Sequence, residues 1–159
     1  MKNVNDTIRE AVPGDEERIR ALFAEMLRAI YHKDDVQGYE AGYLDKYWQG
    51  GEDRIYVAEL GEVEAFLSVE VHHEAQDYLY LDDLSVAEAY RNRGIGTALI
   101  RRAEARAREL EIPAIVFHVE KSNQAALRLY ERLGWSVFRD DGSRFLMGKE
   151  IPGARPGCR

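Results

Sequence analysis

Cysteine occurs once in the 159 residues, at Cys158. No disulfide can form within the chain, which suits a reducing compartment such as the cytoplasm. Long apolar runs are missing too: no stretch approaches the roughly 20 residues that a membrane-spanning helix needs. The opening Met1-Lys2-Asn3-Val4-Asn5-Asp6 leads into more charge, which argues against a signal peptide. Positive charge is in deficit, with 22 Lys and Arg against 29 Asp and Glu, a net charge of −7 and a pI near 5.2. That balance disfavours a nucleic-acid partner. It is compatible with a cationic ligand, although solubility accounts for it equally well. No Ser-His-Asp set, Cys-His pair or metal-ligand cluster stands out. The adjacent His72 and His73 face opposite sides of a strand and rarely share one ion. Internal repeats, low-complexity tracts and domain-scale linkers are absent.

What is present is a globular composition, 45% hydrophobic and 32% charged, long enough for one domain with its own core. Residues 1–151 read as that domain and 152–159 as a disordered tail. Thr7 to Ala11 reads as a first strand. Asp15 is placed to cap a helix over 15–31, with Ile19, Leu22, Phe23, Met26 and Ile30 on its apolar face. Gly38 to Trp48 reads as a second helix or lid carrying Tyr39, Tyr43 and Trp48. Ile55–Glu59 and Val63–His72 form a hairpin around Gly61, followed by a strand over Tyr78–Val86. In that strand Leu79 and Leu81 fall on one parity and Leu84 and Val86 on the other, so the two aspartates between them, Asp82 and Asp83, mark an expected bulge, although Tyr78 and Tyr80 make the even parity apolar as well and a regular strand stays open. A helix from about Gly94 to Glu109 follows, with Arg101, Arg102, Arg106 and Arg108 as a solvated face and Glu104–Arg108 as a helical ion pair. Ala114 to Val119 is a buried strand parallel to the previous one. Ser122 or Asn123 caps a helix whose Ala126, Leu129, Tyr130 and Leu133 share a face, and Gly134 ends it. Two closing strands turn around Gly142.

The stretch Tyr90-Arg91-Asn92-Arg93-Gly94-Ile95-Gly96-Thr97 joins the fourth strand to its helix. Two glycines without Cβ atoms, a helix start with unpaired N–H groups and two arginines together suit a phosphate or diphosphate. A Walker loop is excluded, because no Lys follows Gly96. A dinucleotide fingerprint lacks its third glycine, with Leu99 in that place.

The remaining pattern, Arg-x-x-Gly-x-Gly opening a helix after a strand, resembles the acetyl-CoA diphosphate loop of the GNAT N-acetyltransferase superfamily. Three further segments are similar to that family in the same order: Ile8-Arg9-Glu10-Ala11 with Asp15 and Ile19, Tyr80-Leu81-Asp82-Asp83-Leu84-Ser85-Val86, and Asn123 through Leu129-Tyr130 to Gly134-Trp135. The resemblance covers Ile8 to Ile151. It implies an α/β (α+β) GNAT fold: a mixed central sheet of about seven strands, the fourth and fifth splayed, flanked by about four helices.

It also implies acetyl-CoA as co-substrate, no metal, and direct attack of an amine on the thioester in a ternary complex. Leu84, Ser85 and Val86 would pair with the pantetheine, and a backbone N–H at Leu84 or Ser85 would polarise the thioester carbonyl. Arg91, Arg93, Gly94, Ile95, Gly96 and Thr97 would hold the diphosphate, and Asn123 would bond the cofactor from the opposite wall. Tyr130 would donate to the departing thiolate. A general base is needed because an alkylamine of pKa about 10.4 is only roughly 1 part in 2,500 neutral at pH 7, a handicap of about 4.6 kcal/mol. Asp82 and Asp83 come first for that role, and which of them faces the amine stays open. Glu70 is next. His118, at the end of the fifth strand, reads as a strand-end polar residue or a substrate-orienting group.

The expected activity is acetylation of a small cationic primary amine, such as a polyamine or amino-acid-like metabolite, in the cytoplasm. The Tyr80–Leu84 segment looks similar to the corresponding strand of diamine and polyamine acetyltransferases. Acetylation of a protein or peptide, and a non-catalytic acyl-CoA sensor, are the alternatives. No nucleic-acid or membrane partner is expected, and a homodimer is an expectation of the resemblance alone.

Overall fold

The computed structural model describes residues 3–152. The tail beyond Pro152, with Cys158, lies outside them, as does the expectation of disorder there. Seven strands form one sheet: β1 (Ile8–Glu10), β2 (Arg54–Leu60), β3 (Glu62–His73), β4 (Asp77–Val86), β5 (Ala114–Glu120), β6 (Ser136–Asp141) and β7 (Arg144–Glu150). Their spatial order is β1-β2-β3-β4-β5-β7-β6. β4 and β5 run parallel and the other recorded pairs antiparallel. Three α-helices are found among the described residues: α1 (Glu16–Tyr31), α2 (Ile95–Glu109) and α3 (Gln124–Arg132). In place of the expected helix over 38–48 there is only a 3₁₀ segment, Tyr43–Trp48. Gly42, at φ +80°, begins it in a conformation that suits glycine.

The chain divides into two compact units, Met1–Glu70 with Asp82–Ala103, and Val71–Leu81 with Glu104–Arg159. The first has its core where α1 meets the 3₁₀ segment and the β2–β3 hairpin. Ile19, Leu22, Leu44, Ile55, Val57 and Phe66 are buried together, with Phe23, Tyr39, Trp48 and Tyr90 packed around them. The helical stripe on α1 ends early, since Ile30 is 56% exposed. Asp15 stands at the N-cap of α1 but makes no side-chain cap bond. Its carboxylate accepts from Val12 N–H at 2.8 Å and from Arg9, and so ties β1 to the turn before the helix.

In the second unit β5 pairs with β7 over seven residues, Ala114↔Glu150 to Glu120↔Arg144. The β4–β5 ladder comprises two pairs, Leu79↔Ile115 and Tyr80↔Val116. β6 pairs with β7 with a register shift between Val137 and Arg139 that leaves Phe138 as the extra residue. A Cβ on Gly148 of β7 would overlap the Phe138 ring. On α2, Arg106, expected on a solvated face, is buried, and so is Glu104. Arg106 donates to Glu109 at 2.7 Å, and Glu104 takes Lys149 at 3.1 Å. The Glu104–Arg108 pair is looser, at 3.9 Å. On α3 the buried leucine is Leu127, whereas Leu129 is 41% exposed.

Candidate active site

The loop between β4 and α2 has the local geometry its sequence predicts. Asn92 and Gly94 both take positive φ, +62° and +80°, which Asn tolerates and Gly adopts freely. The first helical bond runs from Ala98 N–H to the Gly94 carbonyl at 3.0 Å. The N–H groups of Ile95, Gly96 and Thr97 therefore precede the helical ladder and have no acceptor within it. Arg91 donates Nε to the Val86 carbonyl at 3.0 Å, which leaves the forked end of its guanidinium for a ligand. Arg93 lies 5.2 Å from the Tyr90 ring centroid. Ile95 is buried and anchors the turn.

These residues fit a diphosphate. A Cβ on Gly96 would meet only Leu84 Cδ2, at an ordinary 3.7 Å, and one on Gly94 would meet nothing. The chain's own packing does not require a bare backbone at 96. Ser85 turns its hydroxyl into the core, donating to the Leu22 carbonyl at 3.1 Å, so only its backbone is left for the role expected of it. Leu84 and Val86 are half-buried beside it.

The acidic residues of β4 form a tight local cluster. Leu79, Leu81 and Ser85 are buried while Leu84 and Val86 are half-buried, so full burial stays on odd positions and does not pass to Leu84 and Val86. The irregularity lies in the carboxylates themselves. Tyr39 and Tyr43 stack at 4.8 Å, nearly parallel. The Tyr39 hydroxyl donates to Asp83 at 2.6 Å and the Tyr43 hydroxyl to Asp82 at 3.2 Å. Adjacent residues on a regular strand point to opposite faces, yet here both reach one tyrosine pair. The Asp83 N–H takes a side-chain acceptor, Ser68 Oγ on β3, at 2.9 Å. Arg20 of α1 holds the segment that brings in Tyr39 by donating to the Tyr39 and Glu40 carbonyls.

Burial pushes the Asp83 carboxyl up to about 6, with help from the neighbouring Asp82 charge and against the Tyr39 hydrogen bond. Burial and then Glu70 also raise Asp82. Tyr39 and Tyr43 are pushed above the ordinary phenol range by burial and the adjacent carboxylates, so they remain donors. Lys46 pairs with Glu70 and is the nearby counter-charge.

In the second unit Asn123 caps α3, its Oδ1 accepting from Ala126 N–H at 3.2 Å. The part expected to contact cofactor is thus partly committed to the helix, and its amide N–H₂ remains as a donor. Tyr130 packs edge-on to Phe117 at 4.7 Å, and burial raises its pKa.

A second polar constellation, missed as a unit in the sequence, borders a cavity of ≈ 270 Å³. Tyr78, Tyr80, Val116, His118, Phe138 and Arg139 are among its walls. The Tyr80 hydroxyl lies 2.7 Å from His118 Nδ1, and His118 Nε2 lies 2.8 Å from Asp141. Arg139 makes two bonds to Asp141, and its guanidinium, with His118, holds that carboxyl down at about 2. Asp141 is therefore an acceptor only, so Nε2 carries the proton and, in the neutral ring, Nδ1 accepts from Tyr80 O–H. Such a chain can draw a proton from the phenol side. Only strand parity at Tyr80 and His118 hinted at it, because Asp141 arrives from β6. Among the described residues no group of three or more His, Cys, Asp or Glu is placed to hold a metal, and no helix is long and apolar enough to cross a membrane.

A glycine-bearing helix start after β4, a parallel β4–β5 step and a seven-stranded mixed sheet are the marks of one class of protein. The profile of the Acetyltransferase (GNAT) family matches residues 19–135, and the chain belongs to that family. N-alpha-acetyltransferase 30 of Mus musculus is 29% identical over 136 residues, covering 80% of this chain and 37% of that protein. Mycothiol acetyltransferase of Corynebacterium efficiens is 24% identical over 138 residues, covering 84% of this chain and 46% of that protein. The chain thus spans less than half the length of these curated relatives. Among solved structures, Arabidopsis thaliana NAA60 in complex with acetyl-CoA superposes with a TM-score of 0.70 at 21% identity, covering 92% of this chain and 98% of that one.

Proposed function

We propose that the protein is an acetyl-CoA-dependent N-acetyltransferase whose acceptor is a small cationic primary amine. The observation that carries the reading is the Tyr39 hydroxyl donating at 2.6 Å to Asp83, which is half-buried next to Asp82 and whose carboxyl is pushed up to about 6. A base of that pKa is mostly ionised at pH 7 and still takes a proton effectively. Two half-buried carboxylates lined by phenol donors also favour a cation over a neutral acceptor.

Arg91, Arg93 and the N–H groups of Ile95, Gly96 and Thr97 bind the diphosphate, and the chain around Leu84–Val86 orients the pantetheine. The co-substrate, when bound, supplies an activated acetyl thioester. Asp83, with Asp82, receives the proton of the incoming ammonium. A backbone N–H at Leu84 or Ser85 stabilises charge on the carbonyl oxygen. Tyr130, kept protonated by burial, is the acid assigned to the leaving sulfur by family resemblance, and Asn123 is assigned to cofactor contact on the same ground. A cytoplasmic location accords with the single cysteine.

A second reading places the proton acceptor at Tyr80, through His118 and Asp141, and the acceptor amine on a peptide. The hydrogen-bonded chain at the wall of the cavity favours it, and the names N-alpha-acetyltransferase 30 and NAA60 accord with it. The test is thiol release from acetyl-CoA against a panel of diamines, amino acids and N-terminal peptides. Turnover of the small amines supports the first reading and turnover of peptides alone the second. Acetyl-CoA binding with no turnover identifies a sensor and removes both.

A further inference from the structure

Glu16, Arg20 and Phe23 follow one another along one face of α1. All three hold the irregular stretch that comes after the helix. Phe23 stacks its ring on Tyr39 at 3.8 Å. Arg20 spreads its fork over two successive carbonyls, Tyr39 at 2.9 Å and Glu40 at 3.2 Å, and gives its Nε to Glu16 at 3.0 Å. The other oxygen of Glu16 accepts from the Trp48 indole at 2.9 Å. The Glu16–Arg20 pair thus fastens both ends of the stretch 39–48. Residues 33–42 are in neither helix nor strand, so these side-chain bonds do the work that a backbone ladder does elsewhere.

What the stretch delivers is the Tyr39 hydroxyl, at 2.6 Å from Asp83. The Glu40 carbonyl that Arg20 grips also accepts the Tyr43 N–H at 3.1 Å, and Tyr43 reaches Asp82. Stacking on Phe23 and Tyr43 fixes the plane of the Tyr39 ring, but a ring can still slide within its plane. The two carbonyl bonds from Arg20 stop that slide. The charged and titratable groups that face Asp83 are Asp82 on its own strand, Glu70 on β3, and Tyr39 and Lys46 from the stretch. Lys46 has a separate anchor in Glu70, so a change at Arg20 reaches Asp83 through Tyr39.

We propose that Arg20 is a positioning residue for acetyl transfer: its hold on the Tyr39 and Glu40 carbonyls, with Glu16 aiming the guanidinium, keeps the Tyr39 hydroxyl on Asp83. This rests on the reading of Asp83 as proton acceptor and extends it to α1. Removing the fork lets the Tyr39 donor drift, and the Asp83 carboxylate loses the contact that favours its ionised form. The geometry asks for an arginine in particular. A planar fork meets two carbonyls at once, whereas an ammonium bonds as a point.

The ¹³C signal of the Asp83 carboxyl, titrated in the free protein, reads the coupling without turnover. Tyr39→Phe is expected to carry its midpoint from about 6 to about 7. Arg20→Met keeps the stem and removes the fork, and is expected to do the same. The two changes combined are expected to move the midpoint no further than either alone. Arg20→Lys is expected to fall between the parent and Arg20→Met, and it carries the same comparison if Arg20→Met does not fold. A merely structural Arg20 would lower the melting temperature and leave the midpoint in place. A midpoint still near 6 in the Arg20 variant, or shifts that add in the combined variant, would overturn the positioning role. Thiol release separates that role from the base reading. With both standing, the acid limb of kcat/KM follows the Asp83 midpoint in Arg20→Met while KM for acetyl-CoA holds. A limb that follows Asp83 in Tyr39→Phe, with nothing moved in Arg20→Met, removes Arg20 and keeps the base. A midpoint that moves under a fixed limb removes the base, and with it the part of Arg20 in the transfer.

Discussion

Tyr39 reaches Asp83 across 44 residues of sequence and donates its hydroxyl at 2.6 Å. Of the contacts around Asp83 it is the one that most favours the ionised form, against burial and the Asp82 charge. Tyr39→Phe removes that donor while keeping the stack between Phe23 and Tyr43. The Asp83 carboxyl then rises further above 6. The acid limb of kcat/KM against pH is expected to move upward, with activity at pH 6 falling more than activity at pH 8. An unmoved limb would separate Asp83 from the proton transfer.

Asp83 also links function to stability. Its folded pKa lies above its unfolded value of 3.8, so the folded state binds more protons between the two. The stabilising contribution is complete below about pH 4 and is lost as pH rises through about 6. Asp83→Asn keeps an acceptor for Tyr39 and removes the half-buried charge. Its stability, measured by urea unfolding, is expected to exceed that of the parent at pH 8 by up to about 3 kcal/mol, with the difference vanishing near pH 4, while acetyl transfer drops by about two orders of magnitude. Equal stabilities at pH 8 would contradict a strained Asp83 carboxylate.

Gly96→Asp tests the diphosphate cradle. Its Cβ has room against Leu84, so the melting temperature is expected to hold within a few degrees. The added charge opposes a diphosphate, and acetyl-CoA affinity by calorimetry is expected to weaken at least tenfold. Normal affinity would show that the helix start is not the anion site.

Tyr130→Phe keeps the ring against Phe117 and removes the proton. An about tenfold or larger fall in kcat with unchanged acetyl-CoA affinity is expected if the phenol serves the leaving sulfur. Unchanged turnover takes Tyr130 out of the chemistry.

Tyr80→Phe discriminates between the two proton acceptors. With Asp83 as base, the variant is expected to keep the acid limb near pH 6 and lose less than about threefold in kcat/KM. A loss of about two orders of magnitude would transfer the role to the Tyr80–His118–Asp141 chain.

Much of this was legible in the sequence because it is local. The Gly94–Thr97 helix start, the Gly61 and Gly142 turns and the strand–helix–strand step from β4 to β5 follow from residues a few positions apart, where turn chemistry and period-2 or period-3.6 patterns act. The segment over 38–48 misled because its aromatics satisfy a helical pattern, whereas Gly42 and the pull of Arg20 on two carbonyls favour a 3₁₀ segment with an irregular approach. The direction of Asp82 and Asp83 was not legible, because it depends on tyrosines about 40 residues upstream. Asp141 joined His118 for the same reason: β7, which comes after β6 in the chain, lies between β5 and β6 in the sheet, an order that pairwise strand patterns do not encode. Lys46 passes for an ordinary solvated residue until β3 supplies Glu70.

Phe138, the surplus residue of its ladder, rests on the bare backbone of Gly148 and forms part of a cavity wall. A methyl group introduced at position 148 would lift that ring rather than press on neighbouring strands. The width of the cavity is thus governed in part from position 148, which is absent from its lining.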